Sequence, residues 1–353
     1  MTTTATGPAT LAAPGPALAL VRRPGRVRAL WLLAVLAVLL VLVALSVTVG
    51  SRAVGFADLV AGLGGSTENL GQAAVVKRVP RTVLALVAGA ALGLSGAVMQ
   101  GVTRNPLADP GILGITMGSS LAVVAGIALL GLSSASAYVW LAVAGAAVAA
   151  VFVQAVGSLG RGGATPLKLA LAGVATSAAL TSFITALTLP RGDISATVRS
   201  WQIGGVGGAS FTSLGQVLPF LLVGAALSLL SARGLNSLAL GDETAAGLGE
   251  RVAVTRGVAA LGAVLLCGAA TAVTGPIGFV GLVVPHLCRL LVGVDHRWLL
   301  PFSALTGAGL LVAADVLGRV VARPGEVDVA IVTALVGAPF FIHVVRRQKV
   351  RSL

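Results

Sequence analysis

The sequence VKRVPRTVLALVAGAALGLSGAVMQGVT, residues 76–103, places Lys77, Arg78 and Arg81 directly before an uncharged run that extends from Thr82 to Thr103. About 20 apolar residues, at a rise of 1.5 Å each, match the roughly 30 Å hydrocarbon core of a bilayer. The whole chain repeats this pattern, because 57% of its 353 residues are hydrophobic, 10% are charged and the mean hydropathy is +1.01. Soluble domains do not have this composition. The sequence therefore predicts an all-α, polytopic membrane protein.

The charge-free segments predict how many helices cross the membrane. Two of them exceed the length of one span, and each contains a break: GLSSASAY at 131–138, and TGPIG at 274–278. Gly275 loosens the backbone at the second break, and Pro276 can occupy the first turn of a new helix. We therefore predict ten transmembrane helices, at 29–49, 82–103, 112–131, 137–157, 167–189, 214–232, 253–273, 277–292, 299–318 and 328–345.

The distribution of Lys and Arg predicts the orientation, because cytoplasmic segments carry an excess of these residues. Ten spans place both termini on one side. With that side cytoplasmic, 16 of the 24 Lys and Arg residues lie in inner segments and 8 in outer ones. We therefore predict cytoplasmic termini. The net charge of +13 then indicates attraction to anionic membrane lipid, and no soluble basic domain is present for a nucleic-acid role.

The outer position of residues 76–81 is unusual, because positive charges there oppose the general trend. One interpretation is an extracytoplasmic partner that binds these cations. The alternative is that their side chains extend to lipid phosphates at the membrane edge.

The two ends of the domain and the cysteines allow further predictions. Residues 1–28 are rich in Thr, Ala, Pro and Gly and end in several arginines, so we predict a disordered cytoplasmic tail. The transmembrane domain then covers 29–347. Cys267 and Cys288 both fall in predicted helices, and we expect small buried residues rather than a disulfide.

A bundle with 47 glycines suits close helix packing and moving parts, and the acidic residues bear on how such movement would be driven. All eleven lie in predicted loops or near predicted helix ends, whereas ion-coupled carriers bury carboxylates at mid-membrane. None of Lys77, Lys168 or Lys349 follows a glycine, so the chain lacks a phosphate-binding loop. Any ATP would therefore be hydrolysed by another subunit.

The sequence predicts neither catalysis nor metal binding. We find no arrangement for nucleophilic or general acid–base catalysis, so the chain is not expected to be an enzyme. His286 and Cys288 in PHLC (285–288) supply too few ligands for a closed metal site. We predict no metal site.

The stretch LALGDETAAGLGERV (238–252) lies in the longest predicted cytoplasmic connection. It predicts a short surface helix, with Asp242 as N-cap and Gly249 as C-terminal stop. Such a helix is either a docking point for a motor subunit or an ordinary amphipathic loop helix.

Four stretches together carry a resemblance to a known family. In order and spacing over about residues 30–347, the chain resembles the FecCD family, the permease subunits of type II ABC importers for iron–siderophore complexes, haem and vitamin B12. Within this family the iron-chelate branch is the commonest, and only that frequency favours it here. The stretches are RVPRTVLALVAGAALGLSGAVMQGVTRNPLADPGILGITMG (78–118), LNSLALGDETAAGLG (235–249), and GPIGFVGLVVPHLCRLLVGVDHR (275–297) followed by AADVLGR (313–319).

The resemblance implies a type II ABC importer permease fold in the bacterial inner membrane. It implies a dimer with a second copy or a homologous permease, two cytoplasmic ABC ATPases and one extracytoplasmic binding protein. ATP and Mg would be bound by the ATPases, so no cofactor is expected in this chain.

The resemblance also implies a docking role for outer arginines, which in the family pair with acidic residues of the binding protein. Arg78 and Arg81 match the family's R-x-P-R motif, and Arg319 matches the Arg of A-D-x-x-x-R. A second account of Arg319 is an i, i+4 ion pair with Asp315. Both accounts can hold together.

Two sites are implied at the cytoplasmic face. The ATPase would dock on the surface helix through Asp242, Glu243, Ala246 and Gly249. The loop RNPLADP (104–110) would narrow the exit through Asn105 and Leu107, together with Thr165 of the loop between helices 4 and 5. The alternative for RNPLADP, which contains two prolines, is a rigid turn without a gating role.

Two segments of the chain predict an internal repeat. GAALGLSG (89–96) and GAATAVTG (268–275) are similar, and helices 2–5 and 7–10 would form inverted repeats that allow alternating access. A self-contained channel or secondary carrier, and a membrane scaffold without transport, remain alternative functions.

Overall fold

A computed structural model describes residues 24–111, 113–132, 134–159 and 165–351 of the chain. All regular secondary structure in these ranges is helical. Within these ranges the chain forms fourteen α-helices. They are α1 (Gly25–Thr48), α2 (Phe56–Leu63), α3 (Leu70–Thr103), α4 (Ile115–Leu130), α5 (Ala135–Ser158), α6 (Pro166–Thr188), α7 (Gly192–Ile203), α8 (Phe211–Leu230), α9 (Ala232–Leu238), α10 (Asp242–Gly247), α11 (Val252–Thr274), α12 (Val280–Val292), α13 (His296–Val321) and α14 (Val329–Arg351).

Each of the ten predicted spans coincides with one of these helices, and the all-α prediction is confirmed. Seven helices of the described chain, α1, α3, α5, α6, α8, α11 and α13, are long and apolar enough to cross a membrane. The other three predicted spans correspond to the shorter apolar helices α4, α12 and the first part of α14. Four additional short helices, α2, α7, α9 and α10, lie between them.

Several boundaries differ from the predictions. Helix α3 begins at Leu70, twelve residues before the predicted start at 82, with Pro80 in its interior. Its start is fixed by Asn69, whose side chain accepts a hydrogen bond from the Gln72 amide. Helix α12 begins at Val280, so Pro276 lies in the preceding loop rather than in a first turn. Helix α1 begins at Gly25, inside the predicted tail, whereas residues 1–23 lie outside the described residues.

Glycines bring the central helices into close contact. On α3, a methyl group added to Gly89 would collide with the Gly307 carbonyl of α13, and one added to Gly96 would collide with Gly281 of α12. Small residues permit this approach of backbones, as is typical of membrane helix interfaces. Cys267 and Cys288 are buried free thiols, as predicted.

The packing follows the predicted repeat of α3–α6 and α11–α14. Helix α3 packs on α13 and α12, and its counterpart α11 packs on α5 and α4. Gly89 begins the first repeat motif and faces α13, whereas Gly268 begins the second and faces Val143 of α5. The left-handed residues Gly114 (φ 76°) and Phe279 (φ 69°) precede the equivalent helices α4 and α12. The first helix of each half therefore packs on helices of the other half.

The two halves are also inverted. Arg256, in the first turn of α11, pairs with the same Asp242 that lies near Arg104 at the end of α3. Helix α11 therefore begins at the end of the bundle where α3 stops, and the two helices run antiparallel.

Contacts between distant residues define two ends of the bundle. We call the end that contains Arg78, Arg81 and Arg319 the arginine end. The opposite end contains the start of α1, the 104–114 loop, α9 and α10, and we call it the α10 end. Arg28 of α1 lies 3.9 Å from Asp295 there.

Candidate docking and coupling sites

At the arginine end, Arg78 binds the chain that leaves α1. Its guanidinium donates to the carbonyl oxygens of Val47 (3.2 Å), Thr48 (3.0 Å) and Arg52 (2.6 Å). The last carbonyls of a helix have no partner within the helix, and a cationic donor satisfies them. Arg78 is only 5% exposed. In the chain alone it therefore acts as a C-terminal cap for α1.

Arg319 of α13 binds the same segment from the other side. It donates to the carbonyl oxygens of Ser46 (2.9 Å) and Val49 (3.1 Å) and to the Ser46 hydroxyl (2.8 Å). The predicted i, i+4 ion pair is present, with Arg319 Nη2 2.8 Å from Asp315 Oδ2. Arg319 is 1% exposed. Its side chain is therefore fully occupied within the chain.

Arg81 is the third predicted docking residue and the one that reaches the surface, with 14% of its side chain exposed. Its Nε donates to Asp315 Oδ1 at 2.8 Å, and its Nη1 donates to Glu326 Oε2 at 2.6 Å. Ser51 donates to the other oxygen of Glu326 at 2.9 Å. Burial alone would raise the pKa of Glu326, but the hydrogen bond and charge of Arg81 lower it overall. Glu326 is therefore an ionised partner of Arg81 at neutral pH.

The structure thus brings the three predicted arginines into one cluster, which we call the arginine cluster, together with Asp315 and Glu326. The sequence analysis paired Asp315 with Arg319 alone and missed its second bond to Arg81. It missed Glu326 entirely, because 245 residues separate Glu326 from Arg81. Lys77, Arg52 and Arg323 are exposed beside the cluster.

At the α10 end, Asp242 begins α10 but does not cap it, which corrects the predicted N-cap. Gly241 is the N-cap, and no side chain caps the helix. The Asp242 carboxylate instead receives two hydrogen bonds from Arg256, at 2.8 and 3.0 Å, and lies 3.5 Å from Arg104. The predicted stop is confirmed, because Gly249 adopts a φ of 84° and its amide donates to the Ala246 carbonyl.

One side of this segment is open. Ala245 is buried, whereas Glu243, Ala246 and Gly249 are exposed. Leu240 and Leu248 are exposed apolar residues beside them. Of the four predicted ATPase contacts, three therefore lie on an accessible surface, and Asp242 is held by arginines of the same chain.

The predicted exit residues lie at the same end. Asn105 accepts a hydrogen bond from the Leu107 amide at 3.0 Å, and both residues line a narrow cleft with Leu169 and Ala170 of α6. Thr165 caps α6, accepting from the Lys168 amide at 3.3 Å. The 104–110 loop and the start of α6 therefore meet at this cleft, and their gating role stays a prediction.

A further polar cluster was missed by the sequence analysis. Asn236 of α9 donates to Asp295 Oδ1 at 2.7 Å and accepts from the His296 amide at 2.9 Å. Asp295 caps α13 by accepting from the Arg297 amide. Burial would raise the pKa of Asp295, but the bonds from Asn236 and Arg297 and the charge of Arg28 lower it. This cluster fastens α9, which precedes α10, to the start of α13.

His286 has a packing role in the structure. Its ring lies edge-on to the Phe340 ring, with centroids 5.7 Å apart. Across the described ranges, no three His, Cys, Asp or Glu residues are grouped so as to hold a metal ion.

Comparison with known proteins identifies the family. Residues 38–347 match the model of the FecCD transport family. The chain belongs to the FecCD transport family. The ferric enterobactin transport system permease protein FepD of Escherichia coli K12 is 44% identical to this FecCD chain over 91% of the chain and 96% of FepD. The iron(3+)-hydroxamate import system permease protein FhuB of Bacillus subtilis 168 is 44% identical over 77% and 71% of the two chains.

Among solved structures, a metal-chelate type ABC transporter in an inward-facing conformation has the same fold. Its TM-score is 0.76 at 28% identity, and the match covers 90% of this FecCD chain and 99% of that chain. This similarity confirms the predicted importer permease fold.

Proposed function

We propose that this FecCD chain is the permease subunit of an ATP-driven importer for an iron–siderophore complex. The observation that carries the proposal is the 44% identity to a ferric enterobactin permease across 91% of the chain. The family also includes haem and vitamin B12 permeases, and these are the alternative cargoes. An iron already held by its chelator needs no ligand from the protein.

The two ends of the bundle would then have different partners. The distribution of Lys and Arg supports a cytoplasmic α10 end, with both termini there. Two ABC ATPases, which bind ATP and Mg, would dock on the exposed surface around Glu243. An extracytoplasmic binding protein would dock at the arginine end. A second copy, or a homologous permease, would complete the path for the cargo.

The inverted halves supply the means of transport. Rocking one half against the other opens a central path to either side in turn. ATP binding and hydrolysis would shift the balance between these two states, because ATP would bind to the complex with a different affinity in each state. The chain itself then performs no catalysis, and the 104–110 loop beside α6 would narrow the cytoplasmic exit.

Uptake of labelled ferric siderophore, haem and cobalamin tests the cargo, measured in a strain that lacks this chain and in its complement. We expect siderophore uptake to be lost and restored, with the other two cargoes unchanged. Loss of haem or cobalamin uptake would assign the chain to another branch of the family. Flux through the purified chain alone in liposomes, without ATP, would identify a channel or secondary carrier instead.

Glu243→Arg tests the ATPase contact. Because Glu243 is exposed on α10, charge reversal should repel basic groups on a docked ATPase without disturbing the fold. We expect binding-protein stimulation of ATP hydrolysis to fall about tenfold in the reconstituted complex. Glu68→Arg, the same change on an exposed residue at the arginine end, is the control, and the Kd for the binding protein is measured for both variants so that weaker docking is distinguished from lost coupling. Unchanged stimulation in Glu243→Arg would exclude this surface.

A further inference from the structure

The arginine cluster raises a problem for docking, because its cations are already occupied. Arg78 and Arg319 are buried, and both are bonded to the end of α1. Arg81 borders solvent, but its Nη1 is 2.6 Å from Glu326. An acidic side chain that approaches from outside meets an arginine that already holds a carboxylate.

The two carboxylates on Arg81 differ in how firmly they are held. The Asp315 side chain is wholly buried and contacts two arginines at 2.8 Å. Removing it would leave the buried Arg319 without its carboxylate partner, which is strongly unfavourable. Glu326 lies in the loop between α13 and α14, and 36% of its side chain is exposed. Because water can reach Glu326, breaking this ion pair is less costly than removing the buried Asp315.

Of the two carboxylates on Arg81, Glu326 is therefore the one that another carboxylate can replace easily. A partner carboxylate that took the position of Glu326 would keep Arg81 paired, while water would solvate the released Glu326. The exchange preserves the number of ion pairs on Arg81. It also frees Glu326 and Ser51 from each other, which loosens the connection between the loop after α1 and the loop before α14.

We propose that Glu326 is an exchangeable occupant of a carboxylate-binding site on Arg81, displaced when an acidic side chain of the extracytoplasmic binding protein docks. This inference rests on the proposed function. Glu326 thus competes with the partner, and docking at Arg81 is coupled to loss of the Ser51–Glu326 hydrogen bond.

Glu326→Gln tests the proposal, because glutamine keeps the size of the side chain and a carbonyl oxygen for Ser51 but removes the charge. We expect the binding protein that supports uptake to bind the variant transporter about 2- to 5-fold more tightly than wild type. The measurement is the Kd of that binding protein for the intact complex in nanodiscs. Tighter binding supports competition, whereas equal or weaker binding overturns it.

Three further variants separate the outcomes. Glu68→Gln removes an exposed acid from the same end outside the cluster, and it should change the Kd less than 2-fold. Ser51→Ala removes the second anchor of Glu326 and should also tighten binding, which keeps the test valid if Glu326→Gln folds poorly.

Arg81→Gln should weaken binding. If Arg81→Gln weakens binding and Glu326→Gln does not strengthen it, docking stands and competition fails. If Arg81→Gln has no effect, the docking role itself fails.

Discussion

At the scale of single residues, Arg319 and Asp315 show how charges are kept inside an apolar bundle. Each is almost wholly buried, and each has several partners: carbonyl groups of α1 for Arg319, and two arginines for Asp315. Buried charges persist only where partners of this kind replace water. These residues therefore hold α1, α3 and α13 together, whatever they contact in the assembled transporter.

Arg319→Ala should destabilise the permease, because it leaves α1 carbonyls unbonded and Asp315 with one arginine. We expect a loss of about 3–5 kcal/mol in unfolding free energy, measured by thermal unfolding in detergent. Lys77→Ala, which removes an exposed cation at the same end, should change stability by less than about 0.5 kcal/mol. Normal stability with abolished uptake would indicate a docking role for Arg319 instead.

The Arg81–Glu326 pair should make stability depend on pH. Arg81 lowers the pKa of Glu326 in the folded chain, so the unfolded chain takes up this proton first as the pH falls. The stabilising effect is therefore complete above the unfolded pKa of Glu326 and is lost as the pH falls through the lowered, folded pKa. The difference in melting temperature between wild type and Glu326→Gln should shrink to zero over that acidic range. A difference that is independent of pH would contradict the pairing.

At the scale of elements, α13 is held by polar clusters at both ends. Asn236 and Asp295 fasten its start to α9, beside the predicted ATPase surface. Arg319 and Asp315 fasten its last turns to α1 and α3. A movement of α9 and α10 would therefore act on a helix that reaches the arginine cluster, which gives a physical connection between the α10 end and the arginine end.

Asn236→Asp should weaken this connection, because the new carboxylate faces Asp295 without a donor between them. We expect stimulation of ATP hydrolysis by the binding protein to fall about tenfold, with basal hydrolysis and the Kd for the binding protein unchanged. Asn236→Asp combined with Asp295→Asn restores a donor and an acceptor, and it should recover most of the stimulation. If the double variant is as impaired as the single one, the Asn236–Asp295 bond does not carry the coupling.

At the scale of the whole molecule, glycine contacts set how closely the two halves pack. Gly96 of α3 touches the Gly281 backbone of α12, so the first half meets the second there without intervening side chains. The same kind of contact joins Gly89 to Gly307. Under the proposed transport mechanism, the halves would therefore rock about a closely packed seam of backbone.

Gly96→Ala should disrupt this seam, because the added methyl group overlaps Gly281 backbone atoms that cannot move aside. We expect a destabilisation of about 1–3 kcal/mol and reduced folded yield, followed by size-exclusion chromatography and thermal unfolding. Gly257→Ala is the matched control, since it lies in α11 with nothing within 4 Å of the new methyl group. It should be neutral or stabilising by about 0.5–1 kcal/mol. Equal effects of the two substitutions would contradict close packing at Gly96.

Much of the fold follows from the sequence alone. Span length, apolar composition and turn residues are local properties. Within the described residues, they predicted the positions of seven long helices and three shorter apolar ones, the break at TGPIG and the stop at Gly249. The start of α3 was missed because Asn69 provides a cap upstream of three cations and a proline. Charge and proline are weak evidence against a helix when its start is fixed elsewhere.

The partners of each charge were decided only by the tertiary structure. The sequence indicated that Arg78, Arg81 and Arg319 are unusual, but not that two of them are buried against α1. Arg81 meets Asp315 and Glu326 across 234 and 245 residues, and Asn236 meets Asp295 across 59. Such pairs depend on which loops the packed helices bring together. Hydrophobic burial acts on whole segments and can be predicted from them, whereas an ion pair depends on the position of two atoms.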